Sequence, residues 1–375
     1  MKCQHLIRLA FAVLFAATVS GRAAVVQSPE QLLPSDTLAV VSVPDFDHLR
    51  QVTLSSPWGL FWQDAEMKPF REKFLHRWQT NVVEPLEREL GVKFQEYIGL
   101  MHGQVTLAIT RNGWDGTTNQ SPAWLVLLDV KDNTNALTGQ LAALRKKWVD
   151  AGKSLKTEKI RDIEFLNLLF APNDLKKAME NAFPGLKEEK STKDSPDKPG
   201  EKTGLYVGQS GSLLLLGSST KDLEKVLVRQ AGGLVPMLAA EPVFESCQPQ
   251  LRGSTLLGWV NLQVILENVR RQLIAASAAN PPKDPMAPRP EKVLSAAGLD
   301  GLKAAIFSFK ETADGYFWEG TLRVPEASRK GLLRMLALET AEAQPAAFVP
   351  VDAVKFYRSR LDVQKAWAAI ETALA

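Results

Sequence analysis

The sequence predicts an α+β fold: repeated β-hairpin–helix units forming an antiparallel sheet with helices packed on one face. Strand-like runs come in pairs joined by short turns. Gly204–Val207 and Ser212–Leu216 flank the turn Gln209–Gly211, and Lys303–Glu311 and Tyr316–Val324 flank Asp314–Gly315, a strong hairpin dipeptide. A helical pattern follows each pair. A doubly wound parallel sheet would instead alternate single strands with helices.

In chain order, Thr37–Val43 is a β-branched, apolar strand run stopped by Pro44. Asp45 or Asp47 is placed to cap a helix through Leu49 and Val52. Pro57 opens a segment with Trp58, Phe61 and Trp62. Met67, Phe70, Phe74 and Trp78 recur at helical steps, and a short helix after Pro85 ends at Gly91. Gln104–Thr110 and Ala123–Val130 read as strands. Asn133–Ala151 reads as an amphipathic helix with Leu137, Leu141, Leu144 and Trp148 on one face. Ser219 caps a helix through Leu223 and Leu227. Ser254–Asn261 is a single strand, Leu262–Ala278 a helix, and Ala327–Leu338 a helix after the third hairpin.

The first residues have the three parts of a secretory signal. Lys2, His5 and Arg8 are basic, Leu9–Val19 is apolar, and Gly21 and Ala23 are small residues at a cleavage site. Residues 1–23 are therefore expected to be removed, leaving a periplasmic or extracellular protein. The run is too short to span a bilayer, and no later stretch is longer. The chain has 45 basic and 42 acidic residues. Lys2, Arg8 and Arg22 lie in the leader, so the mature chain has no formal net charge. That balance argues against nucleic acid as a partner. Cys247 is the single mature cysteine, so no intramolecular disulfide is possible; its surroundings suit a small buried residue.

The expected organisation is a first α+β module over 24–186, a linker over 187–203, a second module over 204–345, and 346–375 as the start of a further module. The 187–203 segment contains no apolar residue and cannot bury a core. The second module contains a Pro-rich loop at 280–291. The last assignment rests on a short internal match, Leu33–Leu38 with Val349–Val354. Each copy leads into a strand and then an Asp, Asp45 or Asp362. An unfinished module would leave Trp367 and Ile370 poorly covered.

Catalytic motifs are sparse. Ser218, Ser219, Thr220 and Lys221 match S-x-x-K, and Lys202–Thr203–Gly204 matches K-T-G, the pair used by serine enzymes of cell-wall chemistry. The order of the two is reversed, no S-D-N intervenes, and Ser219 also suits a helix cap. Gly208–Ser212 lacks the final glycine of a nucleophile elbow. His48, His76 and His102 show no metal-ligand spacing, and no cofactor motif is present, so no cofactor or metal site is expected. Trp58, Phe61 and Trp62, with Phe70, Phe74 and Trp78, form an aromatic group. Helical spacing favours the core for it, and a partner or glycan surface is the other reading.

Leu33–Pro34–Ser35–Asp36–Thr37–Leu38–Ala39–Val40–Val41–Ser42–Val43–Pro44–Asp45 resembles the opening of a family of uncharacterised exported bacterial proteins, domain of unknown function 3352. Ser56–Pro57, Leu60, Trp62, Asp64, Lys68–Pro69–Phe70, Gly103–Leu107 and the hairpin and helix at Gly204–Leu227 fit the same pattern. The resemblance covers most of the mature chain. It implies a secreted or periplasmic protein of repeated strand–helix modules, and no activity. The expected function is thus non-enzymatic binding of a protein or an envelope component. The alternatives are a cell-envelope hydrolase using Ser219 and Lys221, and a carrier of apolar ligands.

Overall fold

The computed structural model describes residues 26–170, 203–279 and 289–333, except 119, 314 and 332, together with 346–353 and scattered positions from 363 to 371. The expected leader at 1–23, nearly all of the expected linker at 187–203, most of the Pro-rich loop and the strand expected at 355–360 lie outside the described residues.

The fold is α+β and centred on one ten-stranded sheet. Its strands are β1 (Thr37–Val43), β2 (Val105–Thr110), β3 (Ala123–Asp129), β4 (Leu155–Ile160), β5 (Ile163–Phe170), β6 (Thr203–Ser210), β7 (Leu213–Gly217), β8 (Leu256–Val260), β9 (Ala304–Thr312) and β10 (Gly315–Arg323). Their spatial order is β10-β9-β8-β1-β2-β3-β7-β6-β5-β4, and every neighbouring pair is antiparallel. β7 pairs with β3, and β8 pairs with β1. Strands from both sides of the linker therefore share a single sheet.

The helices are α1 (Phe46–Ser55), α2 (Pro57–Gln63), α3 (Lys68–Trp78), α4 (Glu84–Leu90), α5 (Phe94–Ile98), α6 (Thr134–Asp150), α7 (Thr220–Gln230), α8 (Leu262–Ala279) and α9 (Pro290–Ala296). A π-helical turn, Gln79–Val83, joins α3 to α4. Of the helix expected at Ala327–Leu338, residues 334–338 lie outside the described residues, and the described part holds a 3-10 turn, Glu326–Ser328.

Helices pack on both faces of the sheet, not on one as the sequence suggests. Side chains alternate across a strand, so Leu127 and Leu128 point to opposite sides. Leu125 and Leu127 join Leu213, Leu215 and, from α7, Leu223, Val226 and Leu227 in one core. Leu128 joins Leu214, Leu168 and, from α6, Leu137, Leu144 and Trp148 in the other. Near-continuous apolar runs such as Leu213–Leu216 reflect this two-sided burial. The first core extends across the sheet to Val40, Trp259 and Ile306, closed by Phe244 and Leu251 from two one-turn helices, Pro242–Glu245 and Gln248–Leu251, and by Cys247 between them. Phe244 meets Trp259 edge to face at 5.1 Å.

The β4–β5 hairpin is absent from the expected elements. β4 is an edge strand and carries Lys156, Glu158 and Lys159, which hide its strand pattern. Its turn uses Arg161 at φ 54°, not the Gly or Asn such turns favour.

Candidate functional site: an apolar sheet face and the pocket beneath its covered half

One cross-strand row defines the second face. In register, Phe307 faces Gly258, Gly258 faces Val41, Val41 faces Leu107, and Leu107 faces Val126. The row continues through Leu216, Val207 and Leu166. It covers eight strands, on the order of 35 Å at the usual strand spacing.

The row is covered at one end and open at the other. Over β3, β7, β6 and β5 it lies beneath α6 and the segment from Val92 to Met101. Over β1, β2 and β9 it is bare: Val41 is 51% exposed, Leu107 50% and Phe307 39%. Ile109, Trp318 and Leu322 extend the exposed apolar area on the same side. Isolated exposed apolar residues are ordinary, but six large ones on one side of neighbouring strands are not. Gly258, which is buried, separates Val41 from Phe307 in the row.

Beneath the covered end is a pocket of about 210 Å³. Its floor is Val126, Leu128, Val207, Leu214 and Leu216, and its roof includes Val92, Tyr97, Met101 and Leu144. Water there finds almost no polar partner, so an apolar group displaces it favourably. Burial pushes the Tyr97 phenol up to about 12, aided by the neighbouring Glu96 carboxylate. Val126 lines the pocket and also faces the exposed Leu107, so pocket and open row adjoin.

Two of the contacts between the helical layer and this face bracket the arm that follows α1. At one, α1 reaches the β9–β10 end: His48 Nε2 lies 3.8 Å from Glu311, and the Ser55 and Tyr316 hydroxyls are 3.5 Å apart. At the other, Tyr97, Leu100 and Met101 join the α6 core. Between these contacts runs the arm α2–α4. Gly59 sets its first corner, where a Cβ would come within 2.0 Å of the Thr53 carbonyl oxygen.

The serines of the alternative hydrolase reading, Ser218 and Ser219, hydrogen-bond elsewhere than to Lys221. Ser219 caps α7: its Oγ accepts from the Asp222 N–H at 3.3 Å and donates to Asn112 Oδ1 at 3.2 Å. Ser218 Oγ accepts from the Trp124 N–H at 3.1 Å. Lys221 is exposed, and Cys247 is fully buried within the first core.

The aromatic group is not core, contrary to the helical-spacing expectation. Trp58 is 76% exposed, and Phe61, Phe70 and Phe74 are also on the surface, with Trp62 half-buried. Without long-range pairing, periodicity alone cannot tell a face turned to the core from one turned outward. Trp367 is 63% exposed, and its indole N–H donates to Glu371.

The fold also assembles a polar cluster that local spacing conceals. His102 Nδ1 lies 3.0 Å from Asp47, and Lys131 Nζ lies 3.1 Å from Asp45 and 3.9 Å from Asp47. Burial works against the Asp45 charge, but the His48 N–H and Lys131 outweigh it and lower its pKa. The cluster ties the start of α1 to the turns before β2 and after β3. Among the described residues, no group of three His, Cys, Asp or Glu could hold a metal ion.

Fold and site together define an α+β protein with cores on both sheet faces, one of which is half-open and apolar. No family model, curated protein or solved structure matches the chain.

Proposed function

We propose that this chain is an exported, non-enzymatic protein that binds an amphiphilic component of the cell envelope. The observation that carries this reading is the row from Phe307 to Leu166, exposed at one end and running into an apolar pocket at the other. An acyl or similar apolar chain fits the pocket, and the open row takes the rest of the apolar part. The pocket is smaller than the roughly 300–1,000 Å³ typical of drug-sized ligands, which suits part of a chain more than a compact polycyclic molecule. Supporting export are the basic, apolar and small-residue order of residues 1–23 and the resemblance of residues 33–45 to exported proteins. Ser219 and Lys221 lend the hydrolase alternative no geometric support, because the Ser219 hydroxyl is occupied by its cap and by Asn112.

The test is fluorescence titration of the mature chain with N-phenylnaphthylamine, followed by displacement with dodecyl amphiphiles. Saturable binding and competitive displacement are expected. Leu107→Glu places a charge on the open row and should weaken probe binding about tenfold or more, since a buried, unpaired carboxylate is costly. Leu107 is half exposed, so the fold should tolerate the change. Lack of probe binding, or unchanged affinity in Leu107→Glu, would sink the reading.

A further inference from the structure

We infer that the arm formed by α2 and α3 docks flat on an anionic lipid surface. The inference goes beyond ligand binding on the sheet and uses different residues.

The arm presents Trp58, Leu60 and Phe61 from α2 and Phe70 and Phe74 from α3, all exposed. These rings are already assembled. Trp62 meets Phe70 edge to face at 6.0 Å and Phe74 at 5.8 Å, and Trp58 meets Phe61 at 6.2 Å. A surface helix of an ordinary globular domain turns such residues inward and leaves a polar face outside.

Charge identifies the partner. With residues 1–23 removed the chain is neutral overall, yet α3 carries Lys68, Arg71, Lys73 and Arg77 against one acid, Glu72, and with Asp64 and Glu66 between the helices counted the arm keeps a net charge of +1. At 3.6 residues per turn, Lys73 and Arg77 flank Phe70 and Phe74 on one side, and Lys68 and Arg71 lie on the other. Aromatic side chains bordered by long basic ones are the pattern of a helix lying in a bilayer interface. The rings sink to the headgroup level while the cations reach up to lipid phosphates. No helix among the described residues is long and apolar enough to cross a membrane. A neutral protein with one local basic and aromatic patch meets an acidic bilayer in a defined orientation.

The experiment is flotation of the full mature chain with vesicles of mixed phosphatidylglycerol and phosphatidylcholine, and with phosphatidylcholine alone. Binding to the mixed vesicles is expected, falling with added salt. The double variants Lys73→Glu/Arg77→Glu and Trp58→Ser/Phe61→Ser should each lower bound protein by about tenfold or more. Both should keep the circular dichroism and the N-phenylnaphthylamine binding of the parent, because the altered residues lie away from the sheet pocket. Three results would overturn the inference. One is no flotation with phosphatidylglycerol vesicles, and another is flotation that survives both double variants. The third is self-association in sedimentation that both variants abolish, which would assign the patch to a second copy of this chain.

Discussion

Ser219 acts at the start of α7, where its side chain satisfies the otherwise unpaired N–H of Asp222. Ser219→Ala should therefore lower stability by about 1 kcal/mol in urea unfolding, the usual worth of an N-cap, and leave ligand binding intact. Asp222 is fully buried and accepts from Thr110 Oγ1 at 2.7 Å and Lys225 Nζ at 2.9 Å, and Lys225 also reaches Asp36 at 2.8 Å. Removing the cation strands a buried carboxylate, so Lys225→Met should cost about 3 kcal/mol. Partial burial works against the Lys225 charge, yet Asp36 and Asp222 outweigh it and raise its pKa. A raised folded-state value means that this contribution is complete below the unfolded pKa and is lost as pH rises through the folded one. Urea midpoints measured across alkaline pH should fall, and the fall should be shallower in Lys225→Met. Tyr97 has the same sign: its phenol, pushed up to about 12, favours the folded state less as pH climbs past the ordinary value of 10.0. Ultraviolet titration should show one of the four tyrosines ionising last, and Tyr97→Phe should remove that step.

The α6–pocket–sheet sandwich makes its own prediction at the level of elements. Val126→Phe projects a larger side chain into the space between β3 and α6. It should change urea stability by less than about 1.5 kcal/mol, because the added volume enters an existing void. It should also weaken probe binding severalfold in the same fluorescence titration. Much at this scale was legible in the sequence. β1, β2, β3, the β6–β7 and β9–β10 hairpins, α6 and α7 all follow from apolar pattern, caps and turn residues. The exceptions have physical reasons. β4 is disguised by Lys156, Glu158 and Lys159, residues suited to an edge strand. The two-sided helical layer was hidden because an apolar run such as Leu213–Leu216 states that both faces are buried, without naming what covers them. The site was the least legible part. Val41 and Leu107 look like any strand residues until register sets them side by side on an uncovered face, and His102 meets Asp47 only through the fold.

For the whole molecule, the sharing of one sheet by strands on both sides of the linker has a thermodynamic consequence. Neither 24–186 nor 204–345 holds a closed sheet alone, since β3 takes β7 as its neighbour and β1 takes β8. The chain should unfold in urea with coincident tryptophan-fluorescence and circular-dichroism transitions, and either segment made separately should lack that transition. Two separated transitions in the intact chain would contradict the single sheet. The position of β1 also governs how the chain arrives at its structure. β1 is the first strand among the described residues and lies inside the sheet, yet Ala39–Ser42 pairs with Leu257–Val260, more than half the chain away. Until β8 is delivered, one side of β1 is an unpaired backbone edge next to bare Val41. Such a distant closure makes folding slow, and an open edge of that kind recruits other chains. A chain emerging N-terminus first must therefore pass through an aggregation-prone half-sheet, and its yield should depend on a holding chaperone until residues 256–260 are free to pair.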